Sequence, residues 1–68
     1  MLIGKIVRGA RQRILVTIED RKGAKVVELR AYQIINDGEL TPSDERIVLA
    51  PETIESLIGL LREAQQKL

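Results

Sequence analysis

Hydrophobic positions keep a period of two along most of this chain and change to a helical period near its end. Ile14, Val16 and Ile18 alternate with Arg13, Leu15, Thr17 and Glu19, which predicts a half-buried strand over residues 13–20. Over 24–35, Val27, Leu29 and Ala31 share one parity and Glu28, Arg30 and Tyr32 the other, again a strand pattern. Leu2–Val7 predicts a first strand, broken at Gly9-Ala10, and Arg46-Ile47-Val48-Leu49 a short fourth. The connections carry turn chemistry. Asp20-Arg21-Lys22-Gly23 suits a hairpin with a positive-φ residue, Asn36-Asp37-Gly38 has an Asp-Gly pair fit for a type I′ turn, and Thr41-Pro42-Ser43-Asp44 reads as a further polar turn.

After Ala50 the pattern lengthens. Pro51 stands where a first helical residue tolerates it, with Glu52 and Glu55 towards the positive end of the helix dipole. Ile54, Leu57, Ile58, Leu61, Ala64 and Leu68 then recur with the spacing of an amphipathic stripe, predicting a helix over about 51–67. Leu60 widens that stripe, as in a helix serving both a sheet and a partner helix; Gly59 fits a close helix approach or is simply tolerated. The predicted fold is α+β and a single domain over 1–68: an antiparallel four-stranded sheet (about 2–49), then one C-terminal α-helix, in the order β-β-β-β-α. One helix covers only part of one sheet face. The other face, with Arg13, Thr17, Arg30 and Tyr32 by parity, is left polar and basic.

Composition narrows the chemistry. The 68 residues include no Cys and no His, which excludes disulfides, thiolate metal sites, zinc centres and His-based triads. An apolar fraction of 44% excludes disorder on compositional grounds. Tyr32 is the only aromatic residue, so the core must be aliphatic. A chain this short buries about 60% of its unfolded surface and usually needs staples or partners, so a homodimer is expected. No apolar run approaches a membrane span, and the Met1–Arg8 segment carries Lys5 within it and no cleavage pattern. A soluble intracellular domain is expected, cytoplasmic and nucleoid-associated if bacterial, nuclear if eukaryotic. Neither a phosphate-cradling loop nor a nucleophile with a visible base is present, so no catalysis, no cofactor and no metal is expected.

The net charge of +1 hides an asymmetry. Residues 1–30 carry eight bases against three acids, and residues 31–68 three bases against seven acids. A basic surface of this kind favours a polyanion, of which nucleic acid is the commonest; alternatively the cations protect strand edges from aggregation. An antiparallel sheet with one solvated face is a frequent nucleic-acid platform, which tilts the reading towards the first.

From Asp20 onward the residues form a specific pattern: Asp20-x-Lys22-Gly23, Glu28-Leu29-Arg30-x-Tyr32, Gly38-Glu39-Leu40-x-Pro42, Ile47-x-Leu49 and a helix led by Pro51-Glu52. This resembles the PC4 (positive cofactor 4 / p15) family of single-stranded-DNA-binding transcriptional coactivators, which has bacterial and phage relatives. The match runs without a gap from about Val16 into the helix, while the first fifteen residues align poorly. The resemblance implies a curved sheet, and a subunit dimerising through its C-terminal helix and sheet, which puts Ile54, Leu57, Ile58 and Leu61 in the interface. It also implies sequence-tolerant binding of single-stranded or melted DNA on the sheets of the dimer. Lys22 and Arg30 match basic DNA-contacting positions, and Tyr32 an aromatic beside that surface. Two commonly aromatic positions are here Arg21 and Gln33, and a basic loop after the proline reads Ser43-Asp44-Glu45-Arg46. Each stacking contact so lost is worth about 1–3 kcal/mol, partly restored at Arg21 because a guanidinium plane also stacks on bases.

The candidate nucleic-acid-binding residues are therefore Arg11, Arg13, Arg21, Lys22, Arg30 and Tyr32. Each has a plainer alternative. Arg30 is either a phosphate ligand or the partner of Glu28 or Glu19 across a strand pair. Arg21 and Lys22 are ligands or ordinary turn residues, Arg11 and Arg13 phosphate contacts or a solvated strand entry, and Tyr32 a stacking platform or a structural residue. Glu39, Asp44 and Glu45 read as a solvated acidic turn, or a weak divalent-cation site. The expected function is single-stranded DNA binding in transcription regulation or DNA maintenance, with RNA left open as a ligand and the transcription machinery as a further partner. The alternative is a dimeric protein-interaction module of the same fold with weak or lost nucleic-acid binding.

Overall fold

The computed structural model describes all 68 residues. Strands β1 (Leu2–Val7), β2 (Gln12–Arg21), β3 (Ala24–Ile35) and β4 (Glu39–Leu49) precede helix α1 (Pro51–Gln66). The strands pair consecutively and antiparallel in the order β1-β2-β3-β4. Short connections dictate that meander. Lys22 and Gly23 turn β2 into β3 with φ of 53° and 82°, the double left-handed geometry of a two-residue hairpin. At the β3–β4 turn, positive φ falls on Asn36 (44°) and Gly38 (91°), and the Gly38 N–H donates to the Ile35 carbonyl. The turn therefore has three residues between paired Ile35 and Glu39, where an Asp-Gly type I′ turn was expected.

Strand pairing sorts the side chains into two faces. Ile14, Val16 and Ile18 lie opposite Ala31, Leu29 and Val27, and Ile6, Ile47 and Leu49 extend this apolar face onto β1 and β4. The other face carries Lys5, Arg13, Leu15, Thr17, Arg21, Glu28, Arg30, Tyr32 and Arg46. The alternation visible in the sequence thus survives intact through β2 and β3.

The segment Thr41–Asp44, expected as a turn, is instead part of β4. Near the hairpin Tyr32 pairs with Pro42, yet two residues back Arg30 pairs with Arg46, so β4 spends four residues where β3 spends two. Ser43 holds this irregularity. Its hydroxyl donates to the Ala31 carbonyl at 2.9 Å and accepts the Glu45 N–H at 3.1 Å, occupying backbone groups that the broken ladder leaves without strand partners. A turn-like composition is compatible with a strand here because the side chain replaces the missing ladder bonds.

The helix starts without a side-chain cap on its first N–H groups. Pro51 lacks one of those donors, Glu52 lies in the first turn, and the Thr53 hydroxyl turns back to the Ala50 carbonyl at 2.8 Å. Of the sheet, α1 meets chiefly β3. Ile54 and Leu57 are half-buried, whereas Ile58 and Leu61 keep 39% and 59% of their surface exposed.

The protomer is a slab rather than a ball. Its extents are 38 × 38 × 18 Å and its radius of gyration is 13.7 Å, against about 11 Å for a compact chain of this length. Its accessible surface, 5534 Å², exceeds the roughly 4,300 Å² of a compact monomer of this mass. Only Ala31 and Glu28 are buried. Removing the Ser43 hydroxyl tests the irregular step directly: Ser43→Ala is expected to lower unfolding free energy by about 1–2 kcal/mol in urea titrations, with amide exchange accelerating first around Glu45.

Candidate nucleic-acid interface

The basic face is built from all four strands. Lys5 comes from β1, Arg13 and Arg21 from β2, Arg30 from β3 and Arg46 from β4. Period two places each on this side, and the irregularity in β4 decides which residue the last one faces. Counted back from the turn without a break, Arg30 would face Asp44; the two extra residues bring Arg46 there instead. The position of Arg46 across from Arg30 was not legible in the sequence for that reason, and Lys5, paired with Leu15, takes its face from the register of β1 on β2.

At the centre, Glu28 and Arg30 form the best-defined polar cluster of the molecule. Both are on β3, two residues apart and therefore side by side on one face. The Arg30 Nε and Nη2 groups donate to Glu28 Oε1 at 3.1 and 2.9 Å, and Nη1 donates to the Ser43 carbonyl at 3.1 Å. Arg46 Nη1 stands 3.7 Å from the same carboxylate oxygen. The pair expected across strands is thus a pair along one strand, with Arg46 as the cross-strand member. Hydrogen bonding from Arg30 holds the Glu28 carboxyl below its ordinary value, burial opposes this, and the charges of Arg30, Arg46 and Arg21 add to the lowering.

The other candidates occupy the margins. Arg21 and Lys22 are exposed at the β2–β3 hairpin, Lys22 within the turn itself. Arg11 is exposed in the β1–β2 connection. Arg13 curls onto its own turn, Nη1 donating to the carbonyls of Gln12 at 2.7 Å and Gly9 at 3.3 Å. Tyr32 is half-buried, with Arg13 across from it on β2 and Pro42 on β4. Gln33 lies on the opposite face, paired with Gln12. The acidic residues of β4 do not gather: Glu45 is bound to Arg8 at 2.9 Å, and no group of three acids is placed to hold a metal ion.

The Glu28 shift has a consequence for stability. A carboxylate with a folded-state pKa below its unfolded value stabilises the fold fully above the unfolded value, and this is lost as pH falls through the folded one. Chemical denaturation from pH 7 downward is therefore expected to show a loss of stability in that acid window that Glu28→Gln abolishes. An unchanged pH profile in the variant would show the pair to be energetically silent.

No family model matches the sequence, and no curated relative matches it. The fold is similar to the orthorhombic crystal structure of BPSL1147, a PC4 homolog from Burkholderia pseudomallei K96243. The TM-score is 0.90 at 25% identity, covering 100% of this chain and 92% of that one. The tetragonal form of the same protein matches with a TM-score of 0.84 at 26% identity, covering 96% of each chain. That likeness extends through the first strand, where the sequence pattern itself aligned poorly. Four antiparallel strands, a C-terminal helix and agreement over the whole length with a bacterial PC4 homolog make this chain a PC4-like protein.

Proposed function

We propose that the protein binds single-stranded DNA with little sequence preference, as a homodimer, in transcription regulation or DNA maintenance. The observation that carries this reading is the segregation of five cations, one or two from every strand, onto a single sheet face with Tyr32. Such a surface attracts phosphates without reading bases, and a base lying on Tyr32 or on an Arg plane adds sequence-tolerant stacking. The likeness to a PC4 homolog agrees with it.

What the protomer leaves uncovered supports the dimer. Its surface exceeds that of a compact monomer by about 1,200 Å², the scale that each subunit of an obligate dimer buries. The exposed apolar groups that supply it include Ile6 and Ile47 on the apolar face and Ile58, Leu60 and Leu61 on the helix. Ile58 and Leu61 were expected in the interface together with Ile54 and Leu57, and these four form one stripe of α1.

A second reading, a dimeric protein-interaction module with weak nucleic-acid binding, is favoured by one observation. Three of the five Arg30 N–H donors are already engaged inside the protein.

A labelled oligo-dT and a duplex of equal length, titrated at two salt concentrations with the oligomeric state checked on a sizing column, separate the two. Salt-sensitive preference for the single strand is expected, and Arg30→Ala should weaken it for every sequence while lowering the salt slope by about 0.7. Dimers that ignore the oligonucleotide at low salt would establish the interaction module instead.

A further inference from the structure

Glu28 is a carboxylate at the middle of a face otherwise suited to polyanions, and it is one of only two buried residues in the chain. Nothing about sheet formation requires an acid there: it pairs with Thr17 on β2 and Val48 on β4 across the sheet. Its partners, Arg30 and Arg46, are the two cations nearest the centre of the basic face. Together the three side chains carry a net charge of +1 in place of the +2 that the arginines alone would carry.

We propose that Glu28 is a built-in counter-ion that sets the affinity of the basic face, leaving charge at its centre for one phosphodiester and no more. This deepens the single-stranded DNA reading and rests on it. The geometry supports a limit rather than a block. Nε and Nη2 of Arg30 face Glu28 and Nη1 faces Ser43, which leaves one N–H on each terminal nitrogen for a ligand. An incoming phosphate oxygen therefore meets a guanidinium already held in place and half neutralised. The arrangement lowers the ordering cost of the arginine and lowers its attraction for a polyanion at the same time. A sequence-tolerant binder that must leave its strand benefits from the second effect, because weaker attraction speeds dissociation.

Charge counting makes the proposal testable. The central cluster carries +1 in the wild type, +2 in Glu28→Gln, zero in Arg30→Gln and +1 again in the double variant. Binding of oligo-dT is measured by fluorescence anisotropy across a salt series for all four proteins, each first shown to be folded by circular dichroism. Glu28→Gln is expected to bind roughly fivefold tighter at low salt, with a slope steeper by about 0.7. Arg30→Gln should shift by similar amounts the other way, and the double variant should return to the wild-type slope. The double variant swaps the ion pair for a neutral amide pair, a replacement that proteins commonly tolerate, so it serves as the test even where Glu28→Gln does not fold.

If Glu28 serves only to aim Arg30, both single variants weaken binding and the double variant recovers nothing; that result overturns the counter-ion while leaving single-stranded DNA binding intact. Binding by Glu28→Gln alone, with a silent wild type, supports it. No binding by any of the four proteins overturns the counter-ion and the DNA reading together.

Discussion

The site depends on the step in β4 opposite Arg30 and Tyr32. A regular hairpin would set Asp44 against Arg30 and Arg46 against Glu28, and these four side chains would cancel to no net charge. The two additional residues move Asp44 and Glu45 away and bring Arg46 across from Arg30. Ser43 makes the step affordable by satisfying the Ala31 carbonyl and the Glu45 N–H, and its own carbonyl then receives Arg30. One hydroxyl thus links backbone irregularity, arginine orientation and the sign of the surface. Glu45, displaced by the same step, reaches Arg8 and ties the β1–β2 connection to the far side of the sheet.

The slab shape imposes a second constraint. A sheet one residue thick with a helix lying mainly along β3 has almost no interior, and only Ala31 and Glu28 are buried. Fold stability must then come from groups that the lone protomer exposes, chiefly the aliphatic face and the helix stripe. In the proposed homodimer one face serves assembly, which frees the other from packing duty. That freedom is what allows five cations to stand on a face where a monomeric domain of this size would need a core.

Much of this was legible in the sequence, and the limits of legibility are physical. Strict alternation in Arg13–Glu19 and Val26–Tyr32 revealed two central strands and their faces because a period of two leaves no choice of side. The helix showed in its stripe from Ile54 to Leu68. The Thr41–Asp44 stretch was misread because Pro, Ser and Asp signal a turn by composition, while the hydrogen bonds that keep them in a strand are made by one serine, one of them to a residue twelve positions away. The place of Arg46 was lost with it: a two-residue step keeps its face but changes the residue across from it from Glu28 to Arg30. Glu28 was recognised as a partner for Arg30, but as one of two candidates across a strand pair; the step of two residues along a single strand suffices for the contact.

For the proposed single-stranded ligand, a face with a single aromatic residue must rely on charge as well as stacking. Stacking worth about 1–3 kcal/mol per base is available at Tyr32 and, through guanidinium planes, at exposed arginines such as Arg21. The electrostatic share is bounded by the same count that defines the face: five cations there meet the carboxylates of Glu19 and Glu28, a net of +3 per protomer. At about 0.7 counter-ions released per neutralised phosphate, the salt slope of one protomer is then limited to about 2. A surface of this strength favours many contacts of modest individual value over one tight grip. In the proposed dimer two protomers offering their faces together double the count without changing any contact, so assembly, and not a deeper pocket, would be the route to affinity for a flexible polyanion.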